Sequence, residues 1–229
     1  MYKKIILNIF LFLLFTNVAL AHQPRIINQN FVEVKNPEIS QAFYGELFGE
    51  PALYKINSSK PFLLYVGLLV PDISNIDKDI SAEISREIGE KKELVYSLDG
   101  LNYVWTNYYE EFAGDNYFKG PEFKDLNNGS NIPKGIEVES GIYTIKIYSP
   151  DNLGKYVFVV GEKEKFPLKE ILNTFKVLPE LKSDFFEKSI WSSFSNRIGL
   201  FFAVFLLIIF IILTLLIFII KKIKNYGNK

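Results

Sequence analysis

The stretch Ile198–Ile220, IGLFFAVFLLIIFIILTLLIFII, constrains this chain more than any other. It carries no charge, and Thr214 is its only hydroxyl. At ~1.5 Å of rise per residue it makes a helix of roughly 35 Å, enough to cross a ~30 Å hydrocarbon core with some tilt. A soluble surface helix keeps a polar face, and this run has none. The sequence therefore predicts a transmembrane helix over 198–220, with the lipid bilayer as its partner. Lys221, Lys222, Lys224 and Lys229 follow with no acidic residue. The positive-inside rule makes 221–229 a cytoplasmic basic tail. Trp191, Phe194 and Arg197 precede the run, where interfacial rings and a snorkelling cation are favoured.

The opposite end reads as a secretory signal. Lys3 and Lys4 are basic, Ile5–Phe15 is apolar apart from Asn8, and Ala19-Leu20-Ala21 offers small side chains to a signal peptidase. This predicts a signal peptide at 1–21. The expected protein is single-pass in the cell membrane, with its N-terminus extracytoplasmic and its C-terminus cytoplasmic. It has no cysteine. An exported domain without disulfides must hold itself with an apolar core, which points to a bacterial envelope. All 26 acidic residues and 20 of the 26 basic ones lie between His22 and Arg197, so this region is six charges negative. An acidic exported domain argues against nucleic acid as a partner.

From His22 to about Gly161 the punctuation is that of strands. NFVEVK (30–35) alternates, AFYGEL follows Asn36-Pro37, and Gly49-Glu50-Pro51 turns the chain. Phe62–Val70, FLLYVGLLV, is a continuous apolar run that reads as one buried strand. Ile80–Ile88 fits a helix or a strand. Asp99-Gly100 is a hairpin-type turn signal. In GIYTIKIYSPDNLGKYVFVV (141–160), Tyr143, Ile145 and Ile147 alternate with Thr144, Lys146 and Tyr148, a tight turn follows, and an apolar run returns. The spacing predicts a β-hairpin here. The whole predicts an all-β sandwich, jelly-roll-like, over 22–165.

That segment, SGIYTIKIYSPDNLGKYVFVVG, resembles the closing hairpin of pre-peptidase C-terminal and carbohydrate-binding-type jelly-roll sandwiches. The upstream ISQAFYGEL and ALYKINSSKPFLLYVGLLV resemble their first strands. The resemblance covers about half of the ectodomain. It implies a membrane-anchored bacterial surface protein whose sandwich has an accessory, non-catalytic role. It transfers no site residues.

After Glu162 the period changes. Leu168, Ile171, Leu172 and Phe175 recur at helical spacing behind Pro167, and Pro179 is expected to stop that helix. Leu181, Phe185, Phe186 and Ile190 continue a second one. Residues 166–197 thus read as juxtamembrane amphipathic helices, packed on the sandwich or lying on the membrane.

Little in the chain suits catalysis. His22 is the only histidine, so neither a Ser-His-Asp site nor a usual zinc site can be assembled. Pro24 blocks a copper chelate that uses the third backbone nitrogen. The expectation is a non-enzymatic interaction module without a required cofactor. The alternatives are a carbohydrate-binding ectodomain, a metal-handling protein or an envelope-complex subunit. Asp72, Asp77 and Asp79 share one loop and offer the hard oxygens calcium prefers. Eight aromatics fall between Tyr103 and Phe123. Among them Trp105, Tyr108 and Tyr109, with the polar Asp115 and Asn116 nearby, are the candidate surface for a cell-surface glycan or an envelope protein. Trp105 is expected inside, and at least one of the two tyrosines outside.

Overall fold

Two burial patterns run through the strands, and they sort the chain into two sheets. Where apolar and polar residues alternate, one face meets the core and the other meets solvent. Where a strand is apolar throughout, both faces must be covered. The computed structural model describes residues 22–123 and 135–227, and it does not describe the side chains at 201, 202, 205, 219 and 222–227. The predicted signal peptide lies outside the described residues.

The larger sheet has six strands in the order β1 (Gln23–Ile26), β3 (Gln41–Phe48), β13 (Leu153–Val160), β6 (Val66–Pro71), β10 (Asp115–Glu122) and β9 (Thr106–Glu110). The facing sheet has five: β2 (Phe31–Glu33), β4 (Ala52–Ser58), β12 (Gly141–Tyr148), β7 (Ser81–Ile88) and β8 (Lys91–Leu98). A short pair, β5 (Phe62–Leu64) with β11 (Ile136–Val138), completes the β structure among the described residues. The architecture is therefore the expected β-sandwich. Between the sheets Phe43, Tyr54 and Phe158 pack ring to ring, with Tyr54 and Phe158 centroids 4.5 Å apart. The Tyr54 and Tyr156 hydroxyls, both buried, satisfy each other at 3.0 Å. Burial pushes the Tyr156 phenol up to about 12.

Several sequence expectations change here. Residues 141–160 are not a hairpin: β12 pairs with β4 and β7, whereas β13 pairs with β3 and β6. The tight turn does exist, with Asn152 at φ 54° and the Leu153 amide donating to Ser149 Oγ. It carries the chain from one sheet to the other. The reason lies in the two patterns. β12 alternates and keeps one face toward solvent. Tyr156–Val160 is buried without a break, so it sits centrally in the sheet that is covered on both sides. Asp99-Gly100 likewise makes a crossing between sheets. Its glycine is required, because a Cβ there would stand 1.8 Å from the Ile80 carbonyl oxygen. Phe62–Val70 is two strands, broken at Tyr65, whose carbonyl is occupied by the Gly161 amide. The ambiguous Ile80–Ile88 supplies strand β7.

Past residue 165 the chain stays on the sandwich. Helix α1 (Leu168–Glu180) runs through Pro179 instead of stopping there, and a wider π-helical turn, Leu181–Phe185, follows directly. Pro179 falls in the last helical turn, where one lost amide bond is tolerated more readily than mid-helix. Leu178, Leu181, Phe185 and Phe186 are buried. Phe185 and Phe186 pack edge-on against Tyr44 and Tyr117 of the six-stranded sheet. Leu168 and Leu172, expected on the buried stripe, are exposed.

A 3-10 turn at Ile190–Ser193 leads into helix α2 (Arg197–Gly227), 31 residues without interruption. Among the described residues no helix is long and apolar enough to cross a membrane.

Candidate functional site

The outer face of the six-stranded sheet forms the floor of a groove, and the C-terminal segment forms its roof. Residues two apart on a strand share a face. Ala42 and Tyr44, Val157 and Val159, and Gly67 and Leu69 therefore line the floor together. Ile171, Phe175 and Leu178, at helical spacing on α1, face them from above. The groove's volume is about 520 Å³, within the ~300–1,000 Å³ usual for small-molecule sites. Ile198, the first residue of the long apolar run, also lines it.

Three carboxylates stand in this groove: Asp115 and Glu122 are buried and Glu110 is half-buried. Asp115 is almost fully buried and sits 2.6 Å from Lys182 Nζ and 3.0 Å from Lys188 Nζ. Lys182, also buried, donates to the Ala113 carbonyl at 2.7 Å as well. Burial pulls the Lys182 pKa down, and the Asp115 charge opposes that pull. Glu122 accepts the Tyr65 hydroxyl and lies 2.7 Å from Lys119 Nζ. Glu110 accepts the amides of Phe112 at 2.9 Å and Ala113 at 2.7 Å, yet burial still raises its pKa. Above the floor the Tyr44 and Tyr117 hydroxyls bond at 3.0 Å, and burial raises both phenols. His22 stands at the rim, its Nδ1 against the Ser40 hydroxyl.

The residues singled out from sequence are placed as follows. Trp105 is half-buried. Its indole N–H donates to the Gly100 carbonyl at 2.8 Å and its ring covers Gly120, where an added Cβ would come within 2.5 Å of it. It is a packing residue of the β9 side, not a free platform. Tyr108 and Tyr109 are both exposed, at 41% and 57%. As neighbours on a strand they point to opposite faces, so they share no binding plane; Tyr108 lines the groove and Tyr109 does not. Asn116 is exposed, but Asp115 is not the surface neighbour it was expected to be. Burial, then Asp77 and Asp151, raise the pKa of Asp79. Among the described residues no group of three His, Cys, Asp or Glu is placed to hold a metal ion, so Asp72, Asp77 and Asp79 are not brought together as one.

Sequence reasoning missed Lys182, Glu122 and the groove itself. A signal for Lys182 was available. Leu178, Leu181, Phe185 and Phe186 form a helical apolar stripe, and Lys182 interrupts it on the same face. A charge inside an apolar stripe predicts a buried partner.

No protein-family model matches this chain, and no curated protein is significantly similar to it. Fifteen solved chains match. Among them is the pre-peptidase C-terminal domain of a collagenase from Bacillus anthracis, with a TM-score of 0.32 and 10% identity, covering 61% of this chain and 95% of that one. At that level of similarity the sandwich assignment rests on the sheets of this chain itself.

Proposed function

We propose that this protein is a single-pass, membrane-anchored, extracytoplasmic β-sandwich that acts as a non-catalytic binding module, and that its ligand occupies the groove under α1. The groove carries this reading: it is partly roofed, mostly apolar and of small-molecule size. Three of its carboxylates already have hydrogen-bond or ion-pair partners. Asp115 is held by two lysines, Glu122 by Tyr65 and Lys119, and Glu110 by two backbone amides. Groups tied up in this way suit orientation and selectivity better than proton transfer. The anchor is supported by the uncharged run 198–220 and by exposed Leu206, Leu207, Phe210 and Phe218 on α2.

Two experiments test it. Protease added to intact cells should digest the domain and spare a C-terminal tag; a tag cleaved from outside overturns the topology. For the groove, full-length protein in nanodiscs should bind octanol saturably, beyond what empty nanodiscs take up. Ile171→Trp places a bulky indole in the groove from a half-buried helix position and should weaken that binding at least about tenfold. Uptake indistinguishable from empty nanodiscs, or unaffected by Ile171→Trp, removes the groove as a binding site.

A further inference from the structure

Resting on that reading of the groove, we infer that its ligand is a single-chain aliphatic amine: an apolar tail under α1 with a cationic head against the carboxylates. The tail follows from the walls. Val157, Val159, Leu69 and Ala42 below and Ile171 and Phe175 above present hydrocarbon to a partly roofed space. Such a space favours an occupant with apolar surface to lose from water. Ile198 joins these walls to the start of the apolar run.

The sign of the head follows from the charges. Lys119, on the groove lining, has Glu122 at 2.7 Å, and the lysines that hold Asp115, Lys182 and Lys188, lie 2.6 and 3.0 Å from it. An anionic head would have to compete with these carboxylates for the lysines. The acids at the groove outnumber those pairs. Glu110 has backbone amides as its hydrogen-bond donors; Glu162, which accepts the Gly135 amide at 2.9 Å, and Glu164 also line the groove. Burial destabilises the ionised form of Glu110 by more than its two amide donors and the nearby Lys182 offset, and a further cation beside it would stabilise that form. An amine head therefore gains a charge-assisted hydrogen bond where a carboxylate head would meet like charge.

The test uses the full-length protein in nanodiscs of uncharged lipid. Three probes of equal chain length are titrated, octylamine, octanol and octanoate, each corrected against empty nanodiscs. Octylamine should bind at least about tenfold more tightly than octanoate, with octanol between them. Glu110→Gln should bring octylamine close to octanol. Octanoate equal to or tighter than octylamine overturns the amine assignment while leaving the groove as a binding site. Saturable binding of none of the three overturns the groove reading as well. If Glu110→Gln does not fold, the order of the three probes on the unaltered chain still decides.

Discussion

A chain that ends at residue 165 is expected not to fold, whereas one that ends at 196 should. The domain boundary suggested by sequence falls between the last strand and α1, but the core does not end there. Leu181, Phe185 and Phe186 are buried in one cluster with the six-stranded sheet, and Leu178 is buried beside them. Burying an apolar side chain of that size stabilises by ~1.5–3 kcal/mol, so together they contribute roughly 6–12 kcal/mol. A domain of this size has ~5–15 kcal/mol in total. Truncation would also bare Tyr44, Val157 and Val159 and leave Asp115 without Lys182. Circular dichroism and urea titration of residues 22–165 and 22–196 check this. A shorter fragment that unfolds cooperatively, with a midpoint close to the longer one, would sink the claim that the C-terminal segment belongs to the core.

Asp115→Ala is the single substitution expected to do most harm. It leaves Lys182, 1% exposed, as an uncompensated buried charge, and breaking a buried pair in this way costs roughly 3–5 kcal/mol. Lys182→Met should be milder. It removes the buried cation but keeps Lys188 3.0 Å from Asp115, and Lys188 is one-third exposed. The order follows from which charge is left stranded, and thermal melts of the two variants read it. Equal losses, or a worse loss for Lys182→Met, would mean that Asp115 depends on Lys182 for more than charge.

Much of the sandwich was legible because strand signals are local. The alternation of Tyr143, Ile145 and Ile147 placed those side chains inside, where they are. Sheet membership was less legible, because a turn such as 149–152 reverses the chain without saying which strands become neighbours. The unbroken burial of Tyr156–Val160 held that information, since a strand apolar on both faces needs a cover on both. Its cover is the segment after residue 165, which sequence reasoning set apart from the sandwich. The groove was invisible for the same reason: floor and roof are about a hundred residues apart in places, as with Leu69 and Ile171. Trp105, Tyr108 and Tyr109 were visible as an aromatic cluster, but composition could not say that one is pinned on Gly120 and that the others diverge.

The β9–β10 turn is held by the chain on its way into α2. Lys182 Nζ and Asn196 Nδ2 both donate to the Ala113 carbonyl, at 2.7 and 2.8 Å. Asn196 Oδ1 accepts the Gly199 amide at 2.9 Å, within the first turn of α2, and Arg197 lies 2.5 Å from Glu111. One carbonyl thus fastens the edge of the large sheet to the start of the long helix. A tilt or rotation of α2 must either turn β9 with it, as a lever turns what is bolted to its end, or break these bonds first. The position of the β9–β10 turn and the direction in which α2 starts are therefore tied together through these bonds.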